Sequence, residues 1–301
     1  KMGWGNPFVI LGISLGLLLL IAFVFIERKV KMPMFHLELF KNRAFAFGNL
    51  SLFISSIARG GLQFMLIIWL QGIWLPLHGY SFESTPLWAG IYMLPMGPLC
   101  GKLSDQHGAR FFATGGMLFS VLGFILLTLL PANFGYNIFI VILLILGCGM
   151  GMFAAPNTTA IMNSVPASQR GATSGMRSTF QNTGMALSMT LYFAIIILGL
   201  AHNLPSILYN GLTNVGISSA MAQQISNMPP TSALFAAFLG YNPMGSLIDQ
   251  QTLSTIPQAT KTIILGNHFF PLTIAPAVMS SLRLAFYISA VMSAIAAVAS
   301  Y

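Results

Sequence analysis

The sequence predicts an all-α membrane protein of about seven transmembrane helices, and three observations carry that prediction. Apolar residues make up 56% of the 301 and charged residues only 6%, with a mean hydropathy of +0.80, whereas soluble domains carry about 25% charged residues. The apolar residues come in runs close to the roughly 20 that a helix needs to cross a bilayer with every backbone group paired. Lys and Arg stand at the ends of those runs rather than along one soluble face, so the net charge of +8 reports orientation, and no nucleic-acid partner is expected. The first partner implied is the lipid bilayer.

Taken in order, the first run, residues 7–26, is too long for a signal-peptide core and has no small-residue cleavage site behind it. The second, 45–73, is unusually polar, with Asn49, Ser55, Ser56, Arg59 and Gln63. The third, 86–104, passes through Pro95 and Pro98 into the polar run Gly101-Lys102-Leu103-Ser104-Asp105-Gln106-His107-Gly108-Ala109-Arg110, and the fourth, 111–130, starts straight after it. The fifth, 137–157, carries Gly147, Gly149 and Gly151 and then Ala154-Ala155-Pro156-Asn157, which predicts a closely packed, kinked helix. In the sixth, 172–200, Gly175, Gly184 and Ser188, with Gly171 just before it, recur at near-helical spacing as a packing face. The seventh is 281–301. The long stretch 201–280 holds Pro205, Pro229-Pro230, Pro243, Pro271 and Pro276 and predicts a loop outside the bilayer. Within it 231–239 is apolar but too short to span, so an interfacial helix or hairpin is expected there.

Basic residues set the orientation. Arg28, Lys29, Lys31, Lys41 and Arg43 lie in one connection, Lys102 and Arg110 in another, Arg170 and Arg177 at a third, and all three fall on one side if seven spans alternate. The positive-inside rule makes that side cytoplasmic, so the chain's first residues and the long loop are expected outside and its last residues inside. Cys100 and Cys148 fall within apolar runs and read as small hydrophobes. Trp69, Trp74, Trp88 and Tyr80 gather near the outer surface, as in an interfacial belt. The histidines show no metal-ligand spacing, and no cofactor is implied.

The polar run reads as a tight cytoplasmic turn between the third and fourth spans. Asp105 stands close to the start of a helix, whose free N–H groups attract an anion, and Gly101 and Gly108 permit a sharp reversal. This Gly-x-Leu-x-Asp-x-x-Gly-x-Arg pattern resembles the loop signature of the major facilitator superfamily. Pro33-Met34-Phe35-His36-Leu37-Glu38-Leu39-Phe40-Lys41-Asn42-Arg43-Ala44-Phe45, Trp69-Leu70-Gln71-Gly72, Ser84-Thr85-Pro86-Leu87-Trp88-Ala89-Gly90, Leu94-Pro95 and Pro166-Ala167-Ser168-Gln169-Arg170-Gly171-Ala172-Thr173-Ser174-Gly175 narrow the likeness. In this order they resemble the second half of a fourteen-helix drug/proton antiporter.

The resemblance implies three parts: residues 1–27 as an extra central transmembrane helix, 28–44 as a cytoplasmic linker, and 45–301 as the C-terminal six-helix bundle with a long outer loop at 201–280. It implies a multidrug efflux antiporter of the plasma membrane, with a small-molecule substrate and protons as partners, and an N-terminal half of the same transporter, not present in this sequence, as a further partner. That half is where the resemblance puts the proton-carrying acid, and the five acids here, Glu27, Glu38, Glu83, Asp105 and Asp249, all fall in connections or at span ends. Gln106 stands where relatives often have Arg, and the third span is short around Met96-Gly97, as if residues were missing there.

Candidate gating residues are Gly101, Asp105, Gly108 and Arg110, with Asp105 and Arg110 as an inner latch. Candidate substrate-binding residues are Arg59, Gln63, Tyr92, Gln181 and Asn182. Arg59 is the one base deep in a span, where an unpaired charge costs a few kcal/mol or more, so it faces a cavity, or else it sits nearer the end of its span or pairs with a backbone carbonyl to hold helices together. Gln63 lies four residues on and shares its face. Arg177 is expected to snorkel to the inner surface or to pair there. The function expected is secondary active transport by two bundles rocking around a midplane site; the alternative is a membrane-embedded, non-transporting partner or a half-transporter that needs a second subunit. No nucleophile turn, paired intramembrane Asp or zinc run points to an enzyme.

Overall fold

The computed structural model describes residues 6–30, 33, 35–81, 84, 87–88, 91, 109–239, 241–248, 254 and 256–301, the side chains of Ala109 and Arg110 excepted. Among the described residues all regular structure is helical, and six helices are long and apolar enough to cross a membrane. The predicted third span, 86–104, and with it the expected short stretch at Met96-Gly97, falls mainly outside the described residues.

Helix α1, Pro7–Lys29, starts on an Asn6 cap that accepts from the Phe8 N–H, with Pro7 in its first turn, and ends on Arg28 and Lys29. None of its residues is buried. A water-facing helix of mean hydropathy 3.1 would be untenable, and lipid resolves the conflict. The linker folds back beneath it: Glu27 Oε2 accepts from the Phe35 N–H at 3.1 Å, and a short 3-10 helix, Leu37–Lys41, leads to Asn42. Asn42 caps the next helix by accepting from the Ala44 N–H and donates from Nδ2 to Ser164 O, tying the linker to a residue 122 positions further along the chain.

The second span is one rod broken twice. Helix α2, Arg43–Gly60, gives way at Gly61 to α3, Leu62–Trp69, followed by a π-helical turn, Leu70–Trp74, and a last turn to Leu77. The break at Gly61 is held from outside, because its N–H donates to Ser188 Oγ at 2.8 Å while that hydroxyl donates to Ile57 O. Such side-chain repair lets a broken helix exist at membrane depth. Asn49, Ser55 and Ser56, three of the polar residues of α2, donate to carbonyls of their own helix.

Helices α4 (Ala109–Leu129), α5 (Tyr136–Asn163), α6 (Arg170–Asn214) and α10 (Phe269–Ser300) complete the bundle, with α10 between α2, α4 and α6. Small residues govern the crossings. A Cβ on Gly116 would lie 2.6 Å from Gly149 O, and one on Gly149 would lie 2.7 Å from Gly116 O, so α4 and α5 touch backbone to backbone. Gly60, Gly184 and Ser188 do the same between α2 and α6. Gly171 and Gly175, expected on that packing face, have open space beside them instead. On α10, Leu284, Tyr287, Val291, Ile295 and Val298 form an exposed oily stripe, opposite buried Leu282, Ala285, Phe286, Ser289, Ala290 and Ser293. This division suits a helix with lipid on one side and protein on the other.

The stretch expected as a loop, 201–280, is largely helical, which is a correction. Helix α6 continues 14 residues past Leu200 to Asn214 and α10 begins at Phe269, 12 residues before Ser281. The physical reason is a change of solvent. Tyr192, Ile196, Leu200, Leu204, Leu208 and Leu212, four apart, are all fully buried, while His202, Ser206 and Asn210 on the other face lower the local hydropathy without breaking the helix. Pro205 lies inside α6, and Pro271 and Pro276 lie inside α10. At 45 residues α6 is about 68 Å long, far more than a hydrocarbon core of about 30 Å. Around the two extensions pack α7 (Ser219–Ser226), α8 (Pro230–Leu239) and α9 (Gln258–Leu265). The apolar helix α8 packs inward, with Ala237 against Gly72 of the π-helical turn and Phe238 against Phe64.

Two other expectations change. Trp69 and Trp74 are 0% and 4% exposed and donate their indole N–H groups to Ala132 O and Phe134 O; Trp69 meets the rings of Phe134 and Phe139 edge-on, and Trp74 stacks on Phe134. They anchor the α4–α5 connection, since a buried indole needs an acceptor and a turn supplies free carbonyls. Cys148 is disulfide-bonded rather than a free thiol; its apolar run told nothing of what packing brings beside it. Cys100 lies outside the described residues.

Candidate substrate-binding cavity

Inside this oily bundle, one cavity of about 290 Å3 has a polar wall, made by Ser56, Arg59, Gln63, Arg177 and Gln181. Leu52, Gly60, Leu62, Met150, Ala154 and Met185 complete it, so α2, α3, α5 and α6 all contribute. Arg59, in the last turn of α2, and Gln63, in the first turn of α3, stand either side of the break at Gly61 and face one space.

Arg59 is partly buried and held in three ways. Its Nε donates to Ser55 O at 3.1 Å, one terminal nitrogen reaches Ser55 Oγ at 3.3 Å, and the guanidinium carbon sits 5.5 Å from the centre of the Phe153 ring. The base is steadied by a backbone carbonyl of its own helix, and it also faces a cavity. A guanidinium has five N–H donors, and the remaining ones have no partner among the described residues. Arg177, expected to snorkel to the surface, turns into the same cavity, and its buried Nε lacks any hydrogen-bond partner among the described residues. It was missed as a binding residue because seven positions from the start of α6 looked near enough to the surface for its head to escape.

Of the five residues expected to meet substrate, Arg59, Gln63 and Gln181 come together. Asn182 is exposed and absent from the cavity wall, one residue being a 100° step around a helix. Tyr92 lies outside the described residues, as do Gly101, Asp105 and Gly108 of the expected gate; Arg110 is in the first turn of α4 with its side chain undescribed.

The model of the Major Facilitator Superfamily matches residues 1–189, well over half of the chain.

The chain belongs to the major facilitator superfamily.

Among relatives of known description, a riboflavin transporter of Clostridioides difficile is 29% identical over 202 residues, covering 66% of this chain and 43% of its own length. A multidrug transporter protein of Bacillus subtilis is 26% identical over 304 aligned positions, covering 96% of this chain and 51% of its own. A lincomycin resistance protein of Listeria monocytogenes is 26% identical over 199 residues, covering 66% and 42%. The chain thus spans about half the length of the relatives it matches. Being of the major facilitator superfamily and having, among the described residues, six apolar helices of spanning length, it is a multi-pass, all-α membrane protein.

Proposed function

We propose that this chain forms one bundle of a proton-coupled secondary transporter that exports small amphipathic or drug-like molecules across the plasma membrane. The observation that carries the reading is the polar cavity: a bundle that served only to hold lipid or a partner would have no use for two arginines and two glutamines facing a common space at spanning depth. Family membership supports transport, and the names of two relatives, a multidrug transporter and a lincomycin resistance protein, support export of drug-like molecules. In this reading the cavity wall works against a second bundle, consistent with the chain spanning about half the length of its relatives. The ends of α2 and α6 that carry Arg43 and Arg170 face the cytoplasm, which puts the start of α1 outside and Tyr301 inside.

The test is movement of two fluorescent amphipaths, the cation ethidium and the anion 8-anilinonaphthalene-1-sulfonate, in everted vesicles carrying the full transporter under an imposed pH gradient. Uptake that collapses when nigericin dissipates the gradient is the expected result; uptake equal to that of vesicles lacking the protein overturns the reading. The latch of Asp105 and Arg110 belongs to the same proposal. Asp105→Asn is expected to slow transport at least severalfold while leaving substrate binding intact, and an unchanged rate would remove Asp105 from the gate.

A further inference from the structure

We infer that the cavity between α2, α3, α5 and α6 selects a small organic anion, a carboxylate, sulfonate or phosphate on an apolar body, over the corresponding cation. The inference rests on the transporter reading and names its substrate class.

The wall holds two positive charges, the guanidinium groups of Arg59 and Arg177. Among the described residues no carboxylate answers them. The five acids of the sequence are Glu27, Glu38, Glu83, Asp105 and Asp249, so residues 39–82 and 106–248, which include all four lining helices, contain none, and neither does 84–104. Among the described residues Arg59 bonds only Ser55, and the Nε of Arg177 is buried without an acceptor. Buried polar groups are almost always satisfied, so an orphaned cationic donor beside a cavity marks a place where an acceptor arrives from outside. Gln63 and Gln181 also make no side-chain hydrogen bond to another described residue. Their amides can donate to the same oxygens, while Leu52, Leu62, Met150 and Met185 supply an adaptable apolar bed for the rest of the molecule.

Selection follows from charge. A guanidinium pairs an oxyanion with two parallel donors, and these charge-assisted bonds are the strong ones. An ammonium in the same space would meet two like charges at low dielectric, which makes exclusion of cations as much a part of the selectivity as attraction of anions. The ring of Phe153, the aromatic face a cation might have used, is already taken by Arg59.

The intact transporter, purified into phosphatidylcholine nanodiscs, is titrated with three probes of one shape: 2-naphthoate, 2-naphthalenesulfonate and 2-naphthylmethylammonium. Both anions are expected to bind at least about tenfold more tightly than the ammonium, and Arg59→Gln and Arg177→Gln each to weaken the anions by about tenfold, the loss that goes with one hydrogen bond to a charged group. Arg59→Lys and Arg177→Lys keep the charge and should recover part of that loss; together with unchanged melting curves they separate a binding defect from misfolding. Ammonium binding equal to or tighter than the anions, or Gln variants that keep the anion preference, overturns the inference. An anionic lipid headgroup offers the same chemistry, so the titration is repeated with half the lipid as phosphatidylglycerol. Unchanged affinity supports the small-molecule assignment, and abolished naphthoate binding overturns it in favour of lipid. Transport of ethidium and of 8-anilinonaphthalene-1-sulfonate in vesicles runs in parallel: gradient-driven export with no anion preference in the nanodiscs sinks the anion site alone, whereas absence of transport of either dye sinks the transporter reading itself.

Discussion

Gly149→Ala is expected to destabilise the purified protein by about 1–3 kcal/mol, the range for overpacking a close contact, while Gly175→Ala leaves stability unchanged or raises it by up to about 1 kcal/mol through helix propensity. The added methyl is the same in both. On Gly149 it would lie 2.7 Å from Gly116 O and 2.9 Å from Ser120 N, both backbone atoms, so no rotamer change can make room and α4 must move off α5. Those two helices form the most extensive pair in the fold. In a bilayer helix association comes from packing rather than from apolar burial, so a gap opened along that crossing is not refilled by solvent exclusion. On Gly175 nothing lies within 4 Å. Thermal unfolding of both variants in one detergent is the measurement, and equal melting temperatures would mean that the α4–α5 contact is not as close as described.

Ser188→Ala is expected to cost about 1–3 kcal/mol, the penalty for stranding a buried donor, against less than about 0.5 kcal/mol for Thr190→Ala on the exposed side of the same helix. The Ser188 hydroxyl receives the Gly61 N–H and donates to Ile57 O, so it pairs two backbone groups freed where α2 breaks into α3. Removing it leaves the Gly61 N–H buried against α6 with no acceptor. Thr190 Oγ1 donates only to Ala186 O one turn earlier, and that carbonyl keeps its helical partner. Because Gly60 and Leu62 flank the break and line the cavity, Ser188→Ala should also weaken probe binding, which a purely thermal defect would not do at temperatures well below melting. A variant that melts and binds like the parent would show that the break is held by packing alone.

Much of this was legible in the chain. Period and length found the spans because lipid makes hydropathy almost the only constraint on a crossing helix, and the Gly184–Ser188 face pointed to a close crossing because nothing else explains small residues four apart. Arg59 with Gln63 was recognisable as a polar pair in an oily run. The errors share a cause. Prolines and polar residues between 201 and 280 lowered the hydropathy and suggested a loop, yet the Leu200, Leu204, Leu208, Leu212 ladder was there to be read as an amphipathic helix leaving the membrane. Trp69 and Trp74 look interfacial by type and position; only the carbonyls of Ala132 and Phe134 make burial their better state.

The sequence by itself determined that this is an all-α membrane protein and which runs of residues meet lipid, because those properties depend on one residue's preference for one of two solvents. Tertiary structure decided which side of each helix faces a neighbour, and so brought Arg177 to Arg59, left Asn182 outside, and turned a broken helix into the wall of a cavity. A single chain carries no record of the rotation of one helix against another; that is fixed by contacts between residues more than a hundred positions apart, such as Gly61 with Ser188.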